Sequence, residues 1–220
     1  VSEPVSVRID FVSDVACPWC AVGLNALERA IERVGDEVVV ELHFQPFELN
    51  PQMPPEGEDA DEHLAAKYGL TPEQLEKNRE TLRERGEAVG FSFGRRTRIH
   101  NTFDAHRLLH WAGEQGPEAQ RALKHALLRA YQGEGRDVSS HDVLAEVAGE
   151  AGLDLEAARA VLASDAHADD VRSQEQFYAG RGIRAVPSVI FDDQHLIQGG
   201  QPVEVFEQAL RQLARFAHTA

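Results

Sequence analysis

Ser13-Asp14-Val15-Ala16-Cys17-Pro18-Trp19-Cys20 holds both cysteines of this 220-residue chain and stands where one hydrophobic period gives way to another. Val5, Val7, Ile9 and Phe11 alternate with Ser6, Arg8, Asp10 and Val12, the period of a strand with one buried face. After Cys20 the apolar positions become Leu24, Leu27, Ile31 and Val34, which is helical spacing. Counting back along that stripe puts Cys20 on the buried face. Cys17 falls just ahead of the first turn, and Pro18 takes the first helical position, where its missing N–H costs nothing. The pattern predicts one exposed sulfur at a helix N-terminus and one sheltered sulfur behind it. Dithiol–disulfide exchange needs that asymmetry.

Gly35-Asp36 is a stop signal, after which Val38, Val40, Leu42 and Phe44 alternate as a second strand. Two strands joined by one helix imply a βαβ unit with parallel strands and a right-handed crossover. Pro46 and the Pro51 to Pro55 region close the unit. From about Asp59 to Gly180 nearly everything reads as helix. The start signals are Thr71-Pro72-Glu73-Gln74, Asn101 or Thr102, Pro117, Ser139 or Ser140, and Asp154. Strand character returns at Ser188–Phe191, followed by the turn Asp192-Asp193-Gln194 and a second arm from His195 to Gln198. Pro202 opens a last amphipathic helix. The fold class is therefore α/β, with β-α-β and β-β-α pieces of a thioredoxin-like fold interrupted by a large all-helical insertion. The expected limits are 1–47 plus 175–220 for the thioredoxin-like domain and 48–174 for the insertion.

Thirty-seven acidic residues against 22 basic give a net charge of −15, a field that repels phosphate backbones and argues against nucleic acid as partner. Arg95, Arg96 and Arg98 are too short a run to offset it and read as a solvated loop. No run of 18 apolar residues occurs, so no membrane span is expected. No basic-then-apolar leader is visible, which makes the cytoplasm the expected compartment, although Val1 in place of Met allows for a leader already removed. Two cysteines do not make a disulfide framework. The sequence sets no oligomeric state.

A thiol near the start of a helix is more acidic than its ordinary pKa of about 8.5. The helix field supplies at most about 2 kcal/mol, or roughly 1.5 pKa units, so a further drop needs N–H bonds from Trp19 and Cys20 to the sulfur. Cys17 then attacks a disulfide as thiolate and Cys20 resolves the mixed disulfide. Burial raises the pKa of Cys20, which needs a proton acceptor at that moment. Two other readings compete. A structural disulfide across so short a loop constrains the unfolded chain by only about 2 kcal/mol. A zinc site completed by His106 and His110, four residues apart on one helix face, lacks a second cysteine pair. Phe91, Phe93 and Trp111 read as core.

Three segments carry a family resemblance. They are Ser13-Asp14-Val15-Ala16-Cys17-Pro18-Trp19-Cys20-Ala21-Val22-Gly23, Asn101-Thr102-Phe103-Asp104-Ala105-His106-Arg107-Leu108 and Gly182-Ile183-Arg184-Ala185-Val186-Pro187-Ser188. Over essentially the whole chain the sequence resembles the disulfide oxidoreductases with a DsbA-like thioredoxin domain, in particular their FrnE-type branch. The resemblance implies Cys17 as nucleophile and Cys20 as resolving residue, supported by Pro18 and Trp19, with no metal and no organic cofactor. It implies thiol or disulfide proteins and peptides as substrates, with glutathione a candidate among them. It further implies a cis Val186–Pro187 bond packed against the dithiol, the Val186 backbone pairing with substrate, and Asp14, Asn101, His106 and Arg107 beside the cleft.

Two departures stand out. Relatives often place a carboxylate six residues before the nucleophile, where this chain has Phe11. This leaves the proton acceptor of Cys20 unassigned, since Asp14 is equally a turn residue or cap. Related 2-hydroxychromene-2-carboxylate isomerases and kappa-class glutathione transferases usually carry Ser where Cys17 stands. A glutathione-dependent transferase or isomerase is the enzymatic alternative, and a zinc-binding or interaction module the non-catalytic one.

Overall fold

The computed structural model describes residues 2–219. Its centre is the strand β1 (Val5–Ser13), flanked by β2 (Val38–Pro46) on one side and β5 (Ser188–Phe191) on the other. A further strand, β6 (His195–Gln198), completes the order β2-β1-β5-β6. β1 and β2 are parallel, in a register pairing Ile9 with Leu42 and Phe11 with Phe44. β5 runs antiparallel to β1, with Phe11 opposite Val189, and β6 antiparallel to β5. The crossover between β1 and β2 is α1 (Pro18–Val34), and the chain closes on α9 (Val203–Thr219), which packs beside α1.

The sequence predicts one buried face for β1, yet from Ile9 to Ser13 every residue is buried. Val7, Ile9 and Phe11 belong to the main core with Leu24 and Leu27 of α1. Val12, on the opposite face, packs with Tyr178, Ile183 and Ile190. Alternation records polarity along the strand, and the second cover comes from residues more than 160 positions away. Burying one large apolar side chain stabilises by about 1.5–3 kcal/mol, so both covers matter to the strand that leads into the cysteines.

Between β2 and β5 lie seven helices: α2 (Ala60–Tyr68), α3 (Pro72–Ala88), α4 (Phe103–Glu114), α5 (Pro117–Leu128), α6 (His141–Glu150), α7 (Leu155–Leu162) and α8 (Ala168–Gly180). Thr71 and Gln74 form a reciprocal capping box, and Ser140 and Asp154 cap their helices by side-chain bonds. Position 174, where the sequence suggests a domain limit, lies inside α8. The helical reading of 59–180 needs two amendments. Short strands β3 (Glu58–Asp59) and β4 (Arg98–Ile99) pair antiparallel, and α5 runs into a π-helical turn at Arg129–Gly133. That turn carries Tyr131, whose hydroxyl donates to the Arg98 carbonyl at 2.8 Å, and Gln132, which reaches the cysteine loop.

Candidate active site

Cys17 is the N-cap of α1, with extended backbone (φ −95°, ψ 113°) and Pro18 next to it in the first turn. Its N–H donates to the Asp14 carbonyl at 3.0 Å, and the Cys20 N–H donates to the Cys17 carbonyl at 3.1 Å. This tight turn sets both sulfurs at the start of the helix as free thiols. Cys20 is fully buried, in line with its place on the apolar stripe, but Cys17 is only 5% exposed. The reason is tertiary. The Val186 loop lies over it, and the Cys17 Sγ sits 3.7 Å from the Val186 carbonyl oxygen, 169 residues away.

The Val186–Pro187 peptide bond is cis. The Pro187 carbonyl accepts from Gly199 N–H at 2.8 Å, and the Ser188 hydroxyl donates to the Ala185 carbonyl at 2.7 Å. Beneath Pro187 stands Gly23, where an added Cβ would come within 3.1 Å of the Pro187 ring. The helix can approach the proline loop closely because that position has no side chain. On the open side, Trp19 lies half-buried with the Arg85 guanidinium 5.3 Å from its ring. An added Cβ at Gly200 would sit 3.0 Å from Trp19.

The two thiols are driven apart electrostatically. Cys17 is drawn below its ordinary value, first by a hydrogen bond from the Cys20 thiol and further by the backbone N–H groups of Cys20 and Trp19. Together these outweigh burial and the Asp14 charge. Cys20 is pushed well above its ordinary value, first by burial and then by Cys17. One cation works against that rise, Lys124 of α5. This side chain is 1% exposed, burial lowers its own pKa, and its ammonium lies 5.8 Å from the Phe44 ring. Lys124 is absent from the sequence reading because a lysine in a polar helix reads as solvated. A usable signal was its spacing: Gln120, Lys124, Leu127 and Leu128 fall on one helical stripe, and all four are buried. Phe11, six residues before Cys17, is fully buried and packs edge-on against Phe44 with ring centroids 5.8 Å apart.

Asp14 is buried and multiply bonded. Its carboxylate accepts from Leu49 N–H at 2.9 Å and Ala16 N–H at 3.4 Å, and meets His106 Nε2 at 3.2 Å. Burial alone would raise its pKa, but the bond and charge of His106 and the Leu49 N–H hold it below the ordinary value. His106 Nε2 also lies 3.0 Å from the Phe47 carbonyl; facing two acceptors, it carries the hydrogen. Two further donors reach the same loop. Gln132 Nε2 donates to the Val15 carbonyl and Arg96 Nη1 to the Ala16 carbonyl, each at 2.8 Å. Arg96 is thus no solvated loop residue. The helical insertion holds three successive residues of the cysteine loop: Asp14, Val15 and Ala16.

The remaining expected cleft residues have other partners. Asn101 accepts from Phe103 N–H at 2.9 Å at the start of α4 and donates to the Met53 carbonyl at 3.1 Å. Arg107 is buried within the helices, pairing with Asp104 at 2.9 Å and donating to the carbonyls of Ala166 (3.0 Å), Val161 (2.8 Å) and Ser164. Neither is shown bonded to the cysteine loop, whereas His106 and Asp14 meet there. A feature absent from the sequence reading is the carboxyl pair Glu48 and Glu175, beside Asp14. Burial and the shared hydrogen bond with Glu175 push Glu48 up to about 8, and burial raises Glu175 as well. Separated by 127 positions, the two left no local signal.

Residues 8–211 match the model of the DSBA-like thioredoxin domain. The chain belongs to that family. A probable DsbA oxidoreductase of Streptomyces coelicolor superposes with a TM-score of 0.87 at 38% identity, over 94% of this chain and 89% of that one. The uncharacterized protein YwbO of Bacillus subtilis (strain 168) is 28% identical over 207 residues, 94% of this chain and 96% of its own. A cytosolic disulfide reductase, DsbM of Pseudomonas aeruginosa, solved with GSH, shares the fold at a TM-score of 0.62 and 19% identity, over 94% and 99% of the two chains. The DsbA-like architecture accounts for the sheet order and for the helices between β2 and β5. Among the described residues no helix is long and apolar enough to cross a membrane.

Proposed function

We propose that this DsbA-family protein is a thiol–disulfide oxidoreductase working through Cys17 and Cys20. The observation that carries the reading is geometric: one tight turn sets two free thiols at a helix N-terminus. Cys17 is the N-cap, 3.7 Å from the Val186 carbonyl of the cis-proline loop, and Cys20 is buried behind it. Cys17 is drawn towards thiolate and Cys20 towards thiol. Cys17 thiolate attacks one sulfur of a substrate disulfide, forming a mixed disulfide and expelling the other sulfur as thiolate. Cys20 then loses its proton and attacks the Cys17 sulfur. The Cys17–Cys20 disulfide forms, and the second substrate thiol leaves. The substrate gains two electrons that the protein loses, and a thiol couple in its surroundings restores the dithiol. Run backwards, the same steps oxidise a substrate dithiol.

Val186 gives the substrate a place to lie, with its carbonyl already beside the attacking sulfur. Extended peptides pair with such exposed backbone. Glutathione is a candidate for pairing with the same Val186 backbone, a reading supported by the likeness to a disulfide reductase solved with GSH. The site needs neither metal nor organic cofactor for these steps, and a cytoplasmic setting suits the glutathione reading.

Equilibration in glutathione redox buffers, followed by alkylation of Cys17, tests the proposal. A reversible two-electron dithiol is expected, with turnover abolished by Cys17→Ser and mixed disulfides accumulating in Cys20→Ser. A dithiol that does not respond to the buffer would overturn it. So would isomerase or transferase turnover that persists in Cys20→Ser.

A further inference from the structure

We infer that the helical insertion carries a divalent transition-metal site of zinc type, formed by His110, Glu114 and His167. This site uses none of the redox machinery. His110 and Glu114 are one turn apart on α4 and face the same way. His167 comes from the turn that opens α8, where it is the N-cap residue in a left-handed conformation (φ 64°) with no side-chain capping bond. Its ring is instead turned onto α4. The two imidazole centroids lie 4.9 Å apart, and His167 Nε2 is 3.0 Å from a Glu114 oxygen. One ligand atom from each of the three residues lies within 4.8 Å of the others.

Zinc with nitrogen and oxygen ligands takes bonds of about 2.0–2.2 Å, which sets tetrahedral ligands roughly 3.3 Å apart. Side chains on a helix surface can close the remaining gap by small rotamer changes. The imidazoles are half-sheltered, with side chains 22% exposed for His110 and 17% for His167, which limits competing water. Asp170 completes the arrangement: its carboxylate lies 3.3 Å from His167 Nδ1. This is the outer carboxylate that fixes the orientation of a metal-binding imidazole. It also lies 3.6 Å from His110 Nε2.

Charge points the same way. Glu114 and Asp170 bring two negative charges to two imidazoles in a chain of net charge −15. Exposed ion pairs with histidine contribute only about 0–1 kcal/mol each, so stability alone gives little reason for the convergence. A divalent cation balances both carboxylates while imidazoles supply the nitrogen donors that favour zinc, cobalt or nickel over calcium or magnesium. Three protein ligands leave a fourth position for water. Bound there, the ion would tie α4 to the start of α8.

Calorimetric titration of Zn²⁺ into the full chain carrying Cys17→Ser and Cys20→Ser removes thiol ligation from the measurement. One ion per chain is expected. In that background, His167→Ala and Glu114→Gln should each weaken binding at least about tenfold, whereas exposed His195→Ala should leave it unchanged. Cobalt should give the visible absorption of a low-symmetry nitrogen–oxygen site. Absence of binding, or equal affinity in Glu114→Gln with a native circular-dichroism spectrum, would overturn the inference. Weakening by His195→Ala would overturn it too.

Discussion

His106 Nε2 meets the Asp14 carboxylate at 3.2 Å across 92 residues of chain, and both side chains are buried. The contact fastens the insertion to the loop that delivers Cys17. Asp14→Ala would strand the Leu49 and Ala16 N–H groups and the His106 ring, at a cost of about 3–5 kcal/mol in urea unfolding. Because the folded carboxyl holds its proton less tightly than the unfolded one, its contribution is present above the ordinary value of 3.8 and is lost as pH falls through the folded value. Asp14→Asn should therefore flatten the acid limb of the stability curve. An unchanged acid limb would separate Asp14 from acid stability.

The Glu48 and Glu175 pair has the opposite sign. Glu48 binds its proton more tightly folded than unfolded, so its contribution is whole below about 4.5 and lost as pH rises to about 8. Glu48→Gln should be more stable than wild type at pH 8 and show no gain at pH 4, the difference being roughly 1–2 kcal/mol after allowing for solvent screening. Parallel curves for the two proteins between those values would refute the assignment. The pair titrates as a unit, so Glu175→Gln should shift the same limb.

The hydrogen bond from Cys20 is the largest cause of Cys17 acidity. Cys20→Ala removes the donor and Cys20→Ser retains one. At pH 7, iodoacetamide should alkylate Cys17 roughly three- to tenfold more slowly in Cys20→Ala than in Cys20→Ser. Equal rates would assign the acidity to the helix N-terminus instead.

Lys124 is a buried cation whose charge favours the Cys20 thiolate. Lys124→Met removes the desolvation cost of that charge and keeps the volume, so stability should rise by about 1–3 kcal/mol. The resolving step should slow, read as longer-lived mixed disulfides in rapid-quench experiments. A variant that resolves as fast as wild type would leave Lys124 a packing residue.

Much of the scaffold was readable in residue order. Alternation from Val5 to Phe11 and from Val38 to Phe44, with the helical stripe between them, predicted the parallel βαβ unit that the register confirms. Thr71, Ser140 and Asp154 marked helix starts that are capped as their side chains require. The helical stripe places Cys20 inside, where it lies, but leaves Cys17 exposed, whereas the Val186 loop covers it. Arg96 and Arg107 looked solvated or cleft-lining because an arginine's partners are carbonyls supplied by distant turns.

Periodicity, proline and caps act within a turn or two of chain, through sterics and local hydrogen bonds, and those forces determined the strand–turn–helix frame around Cys17-Pro18-Trp19-Cys20. Which thiol ionises depends on fields and donors that fall off within a few ångströms, whatever their separation in sequence. Lys124, Asp14 with His106, and the Gln132 and Arg96 bonds to the cysteine loop became neighbours only when the insertion folded back onto β1 and α1. The sequence determined where a dithiol would sit. The tertiary structure decided the electrostatic surroundings in which it sits.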